Sequence, residues 1–254
     1  MSKQDNSFKD YFSSGADSYR RFRPIYPDDL YQYLATTAPN KQLAWDIGCG
    51  NGQAAIALSG YFQQVIATDA SAEQIAQTQP GDNLKFFVSP AEHIDAADNS
   101  IDLITVAQAI HWFDHARFFK EVDRTLKPGG LFAAWGYQLL YTDTPLDATI
   151  ERFHSEIVGP YWPPERALLD NGYTRIAFPY PRLDNPPFYM RTRWTFDELI
   201  GYLNTWSAVK LYEKTNNTNP LELHFDEIKA AWGDPKKEQP IHWPLILYAG
   251  KKSE

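Results

Sequence analysis

The sequence predicts an α/β fold in which a seven-stranded, mostly parallel sheet carries helices on both faces. Up to about residue 137, short apolar runs that suit buried strands alternate with helix-forming segments, as in chains built from βαβ units. The apolar run that begins at residue 43 breaks into glycines on alternate positions. A chain of 254 residues is long enough for one such domain with an elaboration.

The stretch at residues 43–52, L-A-W-D-I-G-C-G-N-G, is the centre of this prediction. It contains an acid, Asp46, followed by Gly48, Gly50 and Gly52. Glycine adopts positive φ at little cost and has no Cβ to keep a ligand at a distance. The pattern therefore predicts a strand, a tight loop that approaches a ligand closely, and then a helix.

A second acid defines the kind of ligand. The next predicted strand, at residues 65–68, leads into Asp69, which is where a ribose diol finds its acceptor in nucleoside-binding folds. Nicotinamide cofactors use G-x-G-x-x-G, whereas this loop reads G-x-G-x-G and has Asp46 just upstream. An acid repels a pyrophosphate but suits the ammonium group of an amino acid. No G-x-x-x-x-G-K-[ST] pattern is present, which excludes a P-loop.

These features resemble motif I of the Rossmann-like (class I) S-adenosylmethionine-dependent methyltransferases. The resemblance covers residues 43–135 and includes L-K-P-G-G-L-F at 126–132, whose role is structural. With F-R-P-I-Y-P at 22–27, H-W-F-D at 111–114 and Y-L-N-T-W-S-A at 202–208, the whole chain resembles small-molecule methyltransferases. The trans-aconitate methyltransferase-like subgroup of methyltransferase type 11 is the nearest in function, and it esterifies small carboxylic acids.

The resemblance implies S-adenosyl-L-methionine as the cofactor and a small molecule as the acceptor. It also implies two sets of site residues. The cofactor-binding set is Arg23, Asp46, Gly48, Gly50, Gly52, Gln53, Asp69, Ala70, Ala91, Glu92 and Gln108, with Arg23 expected to meet the methionine carboxylate and the loop around Glu92 expected to face the adenine. The catalytic set is His111, Tyr11 and Tyr19, with the tyrosines walling the methyl group.

Each of these assignments has a structural alternative. Tyr11, Tyr19 and Arg23 could belong to an arm that lies on the surface, and Glu92 could be a solvated charge. His111 follows a predicted strand, in the place where ligands lie in open α/β sheets, but a lone histidine is more often structural.

The alternation of strands and helices lapses between residues 138 and 187, which predicts an aromatic-rich cover inserted after strand five. The resulting single domain divides into an N-terminal arm and helix (1–38), a cofactor-binding core (39–137), the cover (138–187) and C-terminal strands and helices (188–254). Covers of this kind commonly carry substrate choice. Four arginines in or beside it are candidates for holding a carboxylate, unless they are solvated surface residues: Arg175, Arg182, Arg191 and Arg193.

The expected chemistry depends on the acceptor. Methyl transfer from a sulfonium is an in-line displacement that needs alignment more than acid–base help. A carboxylate acceptor is already anionic and needs no base. A hydroxyl or amine would need one, and His111 is then the best-placed residue.

Composition narrows the remaining classes. A net charge of −8 disfavours nucleic acid as a partner, and no apolar run approaches the ~20 residues of a membrane span. The single cysteine, Cys49, is expected to be a small packing residue, and its isolation favours a reducing cytoplasm. No metal site is predicted, and the sequence leaves the oligomeric state open.

Three alternatives stay open from the sequence. The chain could be an NAD-type oxidoreductase, although the glycine spacing and Asp46 argue against it. It could be a binding protein that has kept the nucleoside pocket without turnover. It could also be a methyltransferase that acts on a protein or on RNA.

Overall fold

The computed structural model describes residues 24–254, and its sheet has the predicted strand number and directions. The strands lie in the order β3-β2-β1-β4-β5-β7-β6. Strands β1 to β5 pair in parallel, whereas β7 runs antiparallel to both β5 and β6. The strands are β1 Leu43–Ile47, β2 Gln64–Asp69, β3 Leu84–Val88, β4 Ile101–Ala107, β5 Leu126–Tyr137, β6 Tyr189–Trp194 and β7 Gln239–Lys251.

Helices connect these strands and cover them. In chain order they are α1 Asp28–Thr37, α2 Gln53–Ser59, α3 Ala72–Ile75, α4 His115–Thr125, α5 Leu146–Arg152, α6 Arg166–Asp170, α7 Phe196–Leu203, α8 Ser207–Asn216, α9 Pro220–Leu223 and α10 Phe225–Trp232. Short 3-10 turns lie at Ile110–Trp112 and Gly159–Tyr161, and one π-helical turn, Phe153–Ile157, extends α5.

Both faces of the sheet are buried, as the apolar run of β4 predicts for an interior parallel strand. On one face, Leu34 of α1 and Leu58 of α2 pack in one hydrophobic cluster. On the other face, Phe118 and Val122 of α4 pack in a second cluster. The prediction of a Rossmann-like sheet with helices on both faces is therefore confirmed.

The topology gathers the predicted functional residues at one edge. The chain crosses from β3 on one side of β1 to β4 on the other, so the strand order reverses between β1 and β4. Ligands of open α/β sheets bind beyond the carboxyl ends of the strands at such a point. The loops that follow β1, β2, β3 and β4 all leave the sheet at this carboxyl edge.

The predicted cover packs together with further helices. The segment after β5 does form helices, but helices α7 to α10, between β6 and β7, pack with it. Phe153 joins the first cluster together with Trp206, whereas Leu169 and Tyr173 join the second. The segment at residues 138–187 therefore packs on both faces of the sheet, together with helices that the sequence assigned to the C-terminal part.

Local signals account for the helix boundaries. The hydroxyl of Ser71 accepts a hydrogen bond from the amide of Gln74 (3.2 Å), which confirms Ser71 as an N-cap. The sequence predicts this helix over residues 72–79, but it ends at Ile75, and i→i+3 hydrogen bonds of Gln77 and Thr78 continue the chain as a turn.

Thr195 and Glu198 form the capping box that starts α7. The sequence predicts one helix from Thr195 through about Trp206, but α7 ends at Leu203 and a further helix, α8, begins at Ser207. Within residues 24–254, no helix is both long and apolar enough to cross a membrane.

Candidate active site

The glycine loop forms the base of the candidate site. Gly48 and Gly52 have φ of +63° and +87°, and a Cβ on either would lie 2.7 Å from a neighbouring side-chain carbon. The amide of Gly50 instead donates to a carboxylate oxygen of Asp69 (2.8 Å). A Cβ on Gly50 would meet only the Gln74 side chain, at 3.8 Å. The first and third glycines thus let the loop pack closely on the protein, and the middle glycine leaves room beside the backbone.

Asp69 lies at the carboxyl end of β2 and accepts hydrogen bonds from the loops that follow β1 and β2. One carboxylate oxygen accepts the Gly50 amide, and the other accepts the amide of Ser71 (2.8 Å). A carboxylate oxygen has two lone pairs, so Asp69 can hold this backbone and still accept from a ribose hydroxyl. Ala70, which follows it, is exposed at the same edge.

Asp46 lies deeper, in β1, and its side chain is completely buried. Oδ1 accepts a hydrogen bond from the hydroxyl of Thr105 (2.8 Å), but Oδ2 has no hydrogen-bond partner among the described residues. Burial raises the pKa of Asp46 to about 7, although the Thr105 hydroxyl and the backbone amide of Ala55 oppose this shift. A buried carboxylate oxygen without a donor is the environment that a cationic group of a ligand can satisfy.

Two further buried polar atoms lie on this side of the sheet without a partner in the part of the chain that is described. They are the hydroxyl of Tyr31 and the Nε1 atom of Trp135. The two rings contact each other edge to face at 6.4 Å, and the charge of Asp46 helps to raise the pKa of Tyr31. Since buried polar groups are normally hydrogen-bonded, their concentration around Asp46 indicates a polar ligand.

Cys49 is not a nucleophile in this arrangement. Burial, then the charge of Asp46, raises the pKa of its thiol, so the thiol stays protonated. The Cys49 amide donates to the carbonyl of Thr68 (3.0 Å), which pins the loop to β2. These contacts support the expected packing role.

Several other predicted cofactor residues make hydrogen bonds within the protein that hold the loops at this edge. Gln53 donates to the carbonyl of Pro24 (3.2 Å). Gln108 directly follows β4 and has a φ of +55°. Its side-chain amide donates to the carbonyl of Tyr137 and accepts from the Tyr137 amide, both at 3.1 Å. In the loop after β3, Ala91 is buried, whereas Glu92 accepts a hydrogen bond from the amide of Asp114 (3.2 Å).

His111 lies in the 3-10 turn after β4 and is 8% exposed. Its Nδ1 atom has no partner within residues 24–254. Burial, followed by the charge of Arg166, lowers the pKa of His111 to about 3. The imidazole is therefore neutral and weakly basic at neutral pH.

The structure places two cover residues beside His111 that the sequence analysis did not assign to the site. The Tyr173 ring lies nearly parallel to the His111 ring, with centroids 6.3 Å apart, and its hydroxyl has no partner among the described residues. The guanidinium of Arg166 lies 4.0 Å from the centroid of the Trp162 ring. Only the Asn171-Gly172 pair, a turn signal just before Tyr173, marks this region in the sequence.

The four arginines proposed from the sequence occupy different positions. Arg182 donates to the carbonyl of Leu247, which pairs with Trp135 of β5, and it lines a cavity together with Tyr173. Arg193 pairs with the exposed Glu238, and Arg191 lies over the ring of Tyr189. Arg175 is exposed. Within residues 24–254, no hydrogen bond or ion pair joins any of the four to His111.

Three predicted residues, Tyr11, Tyr19 and Arg23, lie outside the described residues. Among residues 24–254, no group of three or more histidine, cysteine, aspartate or glutamate side chains could hold a metal ion.

Comparisons with known proteins show the family of this chain. Residues 45–134 match the Methyltransf_11 family, a methyltransferase domain. A Dictyostelium discoideum protein described as a methyltransferase is 34% identical over 96% of both chains. Saccharomyces cerevisiae CRG1, described as an S-adenosylmethionine-dependent methyltransferase, is 24% identical over 93% of this chain and 95% of its own.

Solved structures show the same relationship. A protein of Anaeromyxobacter dehalogenans described as a type II methyltransferase superposes with a TM-score of 0.86, at 38% identity, over 92% of this chain and all of its own. The chain belongs to the S-adenosylmethionine-dependent methyltransferases with a Rossmann-like fold. It is an enzyme of that class, and S-adenosyl-L-methionine is its cofactor.

The residues at the carboxyl edge fit this cofactor. Oδ2 of Asp46, which has no hydrogen-bond partner within residues 24–254, suits the ammonium of the methionine moiety, and the carboxylate of Asp69 suits the ribose diol. The space beside Gly50 lets the cofactor approach the backbone. These residue roles remain the predictions made from the motif, now with an environment that suits each of them.

Proposed function

We propose that the protein transfers the methyl group of S-adenosylmethionine to the carboxylate oxygen of a small molecule. The observation that carries this proposal is the environment of His111. The imidazole is buried beside the guanidinium of Arg166, and its pKa is lowered to about 3. General bases work best when their pKa lies near the operating pH, so this histidine is a poor base for a hydroxyl or an amine.

A carboxylate acceptor removes the need for a base. The cofactor supplies an electrophilic methyl group, so an O–C bond forms as the S–C bond breaks and the electron pair stays on sulfur. The products are a methyl ester and S-adenosylhomocysteine, and no proton is transferred. The protein therefore contributes mainly binding and alignment.

Residues of the sheet and residues of the cover have different parts in this binding. Asp46 and Asp69 hold the cofactor from the sheet side. On the cover side, Arg166 supplies positive charge, and His111 and Tyr173 supply neutral polar atoms with no partner among the described residues. Aromatic rings, including those of Trp112 and Trp162, pack beside these groups. A site lined in this way suits a small acid better than a macromolecule.

The test is a product assay with labelled S-adenosylmethionine. The purified protein is incubated with a panel of mono-, di- and tricarboxylic acids, with the matching alcohols and amines, and with total RNA and protein as separate arms. Formation of a base-labile methyl ester from an acid is the expected result. Transfer to an alcohol, an amine, RNA or protein, with no ester formed, would overturn the proposal.

A further inference from the structure

We propose that Tyr173 is the residue that binds the acceptor, with its hydroxyl donating a hydrogen bond to the acceptor carboxylate beside the guanidinium of Arg166. This inference rests on the proposed function and names the part of the cover that recognises the acid. Three observations support it: the backbone conformation of Tyr173, the packing around its hydroxyl and the charged groups nearby.

The backbone at Tyr173 is in an unusual conformation. Gly172 and Tyr173 have φ of +64° and +60°, so two successive residues are left-handed at the end of α6. Their amides donate to the carbonyls of Leu169 and Leu168, at 2.8 Å each, which closes the helix end. Left-handed backbone is strained for a tyrosine, and such strain persists where packing fixes a side chain in a functional position.

The end of β5 is shaped to admit the Tyr173 hydroxyl. A Cβ added to Gly136 would lie 2.6 Å from the hydroxyl oxygen and 2.4 Å from Oε1 of Gln108. Only glycine therefore allows the hydroxyl to reach this point between β4 and β5. The Tyr173 hydroxyl therefore lies at the carboxyl edge of the sheet, next to the residues that follow β4.

At this position the hydroxyl is a buried donor in need of an acceptor. Tyr173 is 2% exposed, and within the described part of the chain its hydroxyl has no hydrogen-bond partner. Nδ1 of His111, on the nearly parallel ring, is also unpaired there. Leaving such groups unpaired is costly, so two of them together point to a polar ligand between the cover and β4.

The charge nearby favours an anion as this ligand. Arg166 is fixed by Trp162, by Asp170 (Nε to Oδ1, 3.2 Å) and by His154 (3.4 Å). Its charge lowers the pKa of His111, and on Tyr173 it partly offsets burial and the Asp170 carboxylate, both of which raise the pKa of the hydroxyl. A guanidinium has five donors and can hold an acceptor carboxylate beside Asp170.

The role of Tyr173 determines which kinetic constant it affects. A donor withdraws charge from the oxygen that it contacts, so the useful hydrogen bond goes to the carboxylate oxygen that does not attack the methyl group. The carboxylate loses charge as the ester forms, so this hydrogen bond is at least as strong before transfer as during it. Its loss should therefore raise KM and leave kcat nearly unchanged.

The experiment compares Tyr173→Phe with Tyr180→Phe in the full-length protein, using the panel acid that the wild type methylates fastest. Tyr180 is also buried, but its hydroxyl donates to Asp123 (3.2 Å), away from His111. For Tyr173→Phe we expect KM for the acid to rise roughly tenfold, the scale of one hydrogen bond to a charged group. Its affinity for S-adenosylhomocysteine, measured by calorimetry, should stay at the wild-type value, and Tyr180→Phe should keep the wild-type KM.

The outcomes separate the two proposals. If the wild type esterifies an acid and Tyr173→Phe has an unchanged KM, the role of Tyr173 is wrong and the proposed function stands. The same conclusion follows if both variants change KM equally. If the wild type binds S-adenosylhomocysteine but esterifies no acid, the proposed function is wrong, and the role of Tyr173 falls with it.

Discussion

Two aspartates at opposite ends of the neighbouring strands β1 and β4 are both completely buried, yet their surroundings differ. Asp102, at the amino edge of the sheet, accepts from the Lys127 ammonium (2.6 Å) and from the amides of Gln42 (2.9 Å) and Leu43 (3.0 Å). Asp46, towards the carboxyl edge, has the Thr105 hydroxyl on one oxygen and no donor on the other among the described residues.

The difference shows how the two edges of one sheet are used. At the amino edge the protein itself compensates the buried charge, which holds the first residues of β1 against β4 and β5. At the carboxyl edge we expect a ligand to compensate the charge, at a cost in the stability of the free protein. We therefore expect the first aspartate to support folding and the second to support binding.

The largest expected effect is on stability and follows replacement of Asp102. Asp102→Ala removes the partner of the partly buried Lys127 ammonium and leaves the backbone amides of Gln42 and Leu43 without that acceptor. We expect the free energy of unfolding to fall by about 3–5 kcal/mol, as measured by urea denaturation. Any loss below about 1 kcal/mol would mean that the amino edge does not depend on this pair.

Replacing Asp46 should lower cofactor affinity without lowering stability. Asp46→Asn removes the charge expected to meet the ammonium of the cofactor, so affinity for S-adenosylhomocysteine should fall by about 2–3 kcal/mol in calorimetry. The free energy of unfolding at pH 8 should not decrease, because an uncompensated buried charge is lost. A variant that unfolds more easily but binds with wild-type affinity would contradict the comparison.

Replacing Asp69 should affect both loop structure and ligand binding, because we expect its carboxylate to bind the ribose as well as the backbone. Asp69→Ala should weaken binding of S-adenosylhomocysteine by roughly 1–3 kcal/mol, the scale of a lost charged hydrogen bond. Adenosine, which has the ribose but no methionine moiety, should lose a similar factor. Unchanged affinity for both compounds would remove Asp69 from the ribose role.

The smallest effect is on the pH dependence and concerns Asp46 alone. In the folded protein its pKa is raised from 3.8 to about 7, so the folded state keeps a proton that the unfolded state has already lost. This contribution to stability is complete below the unfolded pKa and is lost as the pH rises to about 7. Binding of a cation favours the ionised carboxylate, so cofactor affinity should increase over the same range.

The measurement is calorimetry between pH 6 and pH 8 in buffers of different ionisation enthalpy. We expect proton release on binding of S-adenosylhomocysteine below pH 7 and an affinity change of at most about tenfold per pH unit. Asp46→Asn serves as the control, because it retains any titration of the ligand itself. Equal proton release by the two proteins would show that Asp46 does not titrate on binding.

The strands and the glycine loop could be predicted because their signals are local. The apolar run of β4, the spacing of Gly48, Gly50 and Gly52, and the position of Asp69 all lie within short segments. The fold class, the methyltransferase family and the cofactor inferred from them are confirmed. Helix α8 was missed because Trp206 reads as the end of α7, whereas its backbone is the N-cap of the next helix.

The cover side of the site could not be predicted because it depends on contacts between distant segments. Tyr173 matters through Gly136, which precedes it by 37 residues, and through the His111 ring. Arg166 acts through its position over Trp162, which neither the composition nor the spacing of the segment reveals. Arginines in the cover are visible in the sequence, but their distances from His111 depend on how the cover folds.

The most direct test of the central claim, that the carboxyl edge binds S-adenosylmethionine through uncompensated polar groups, is calorimetric titration with S-adenosylhomocysteine, with NAD as a parallel ligand. The account predicts micromolar binding of S-adenosylhomocysteine and no binding of NAD. Binding of NAD, or no binding of S-adenosylhomocysteine, would contradict it.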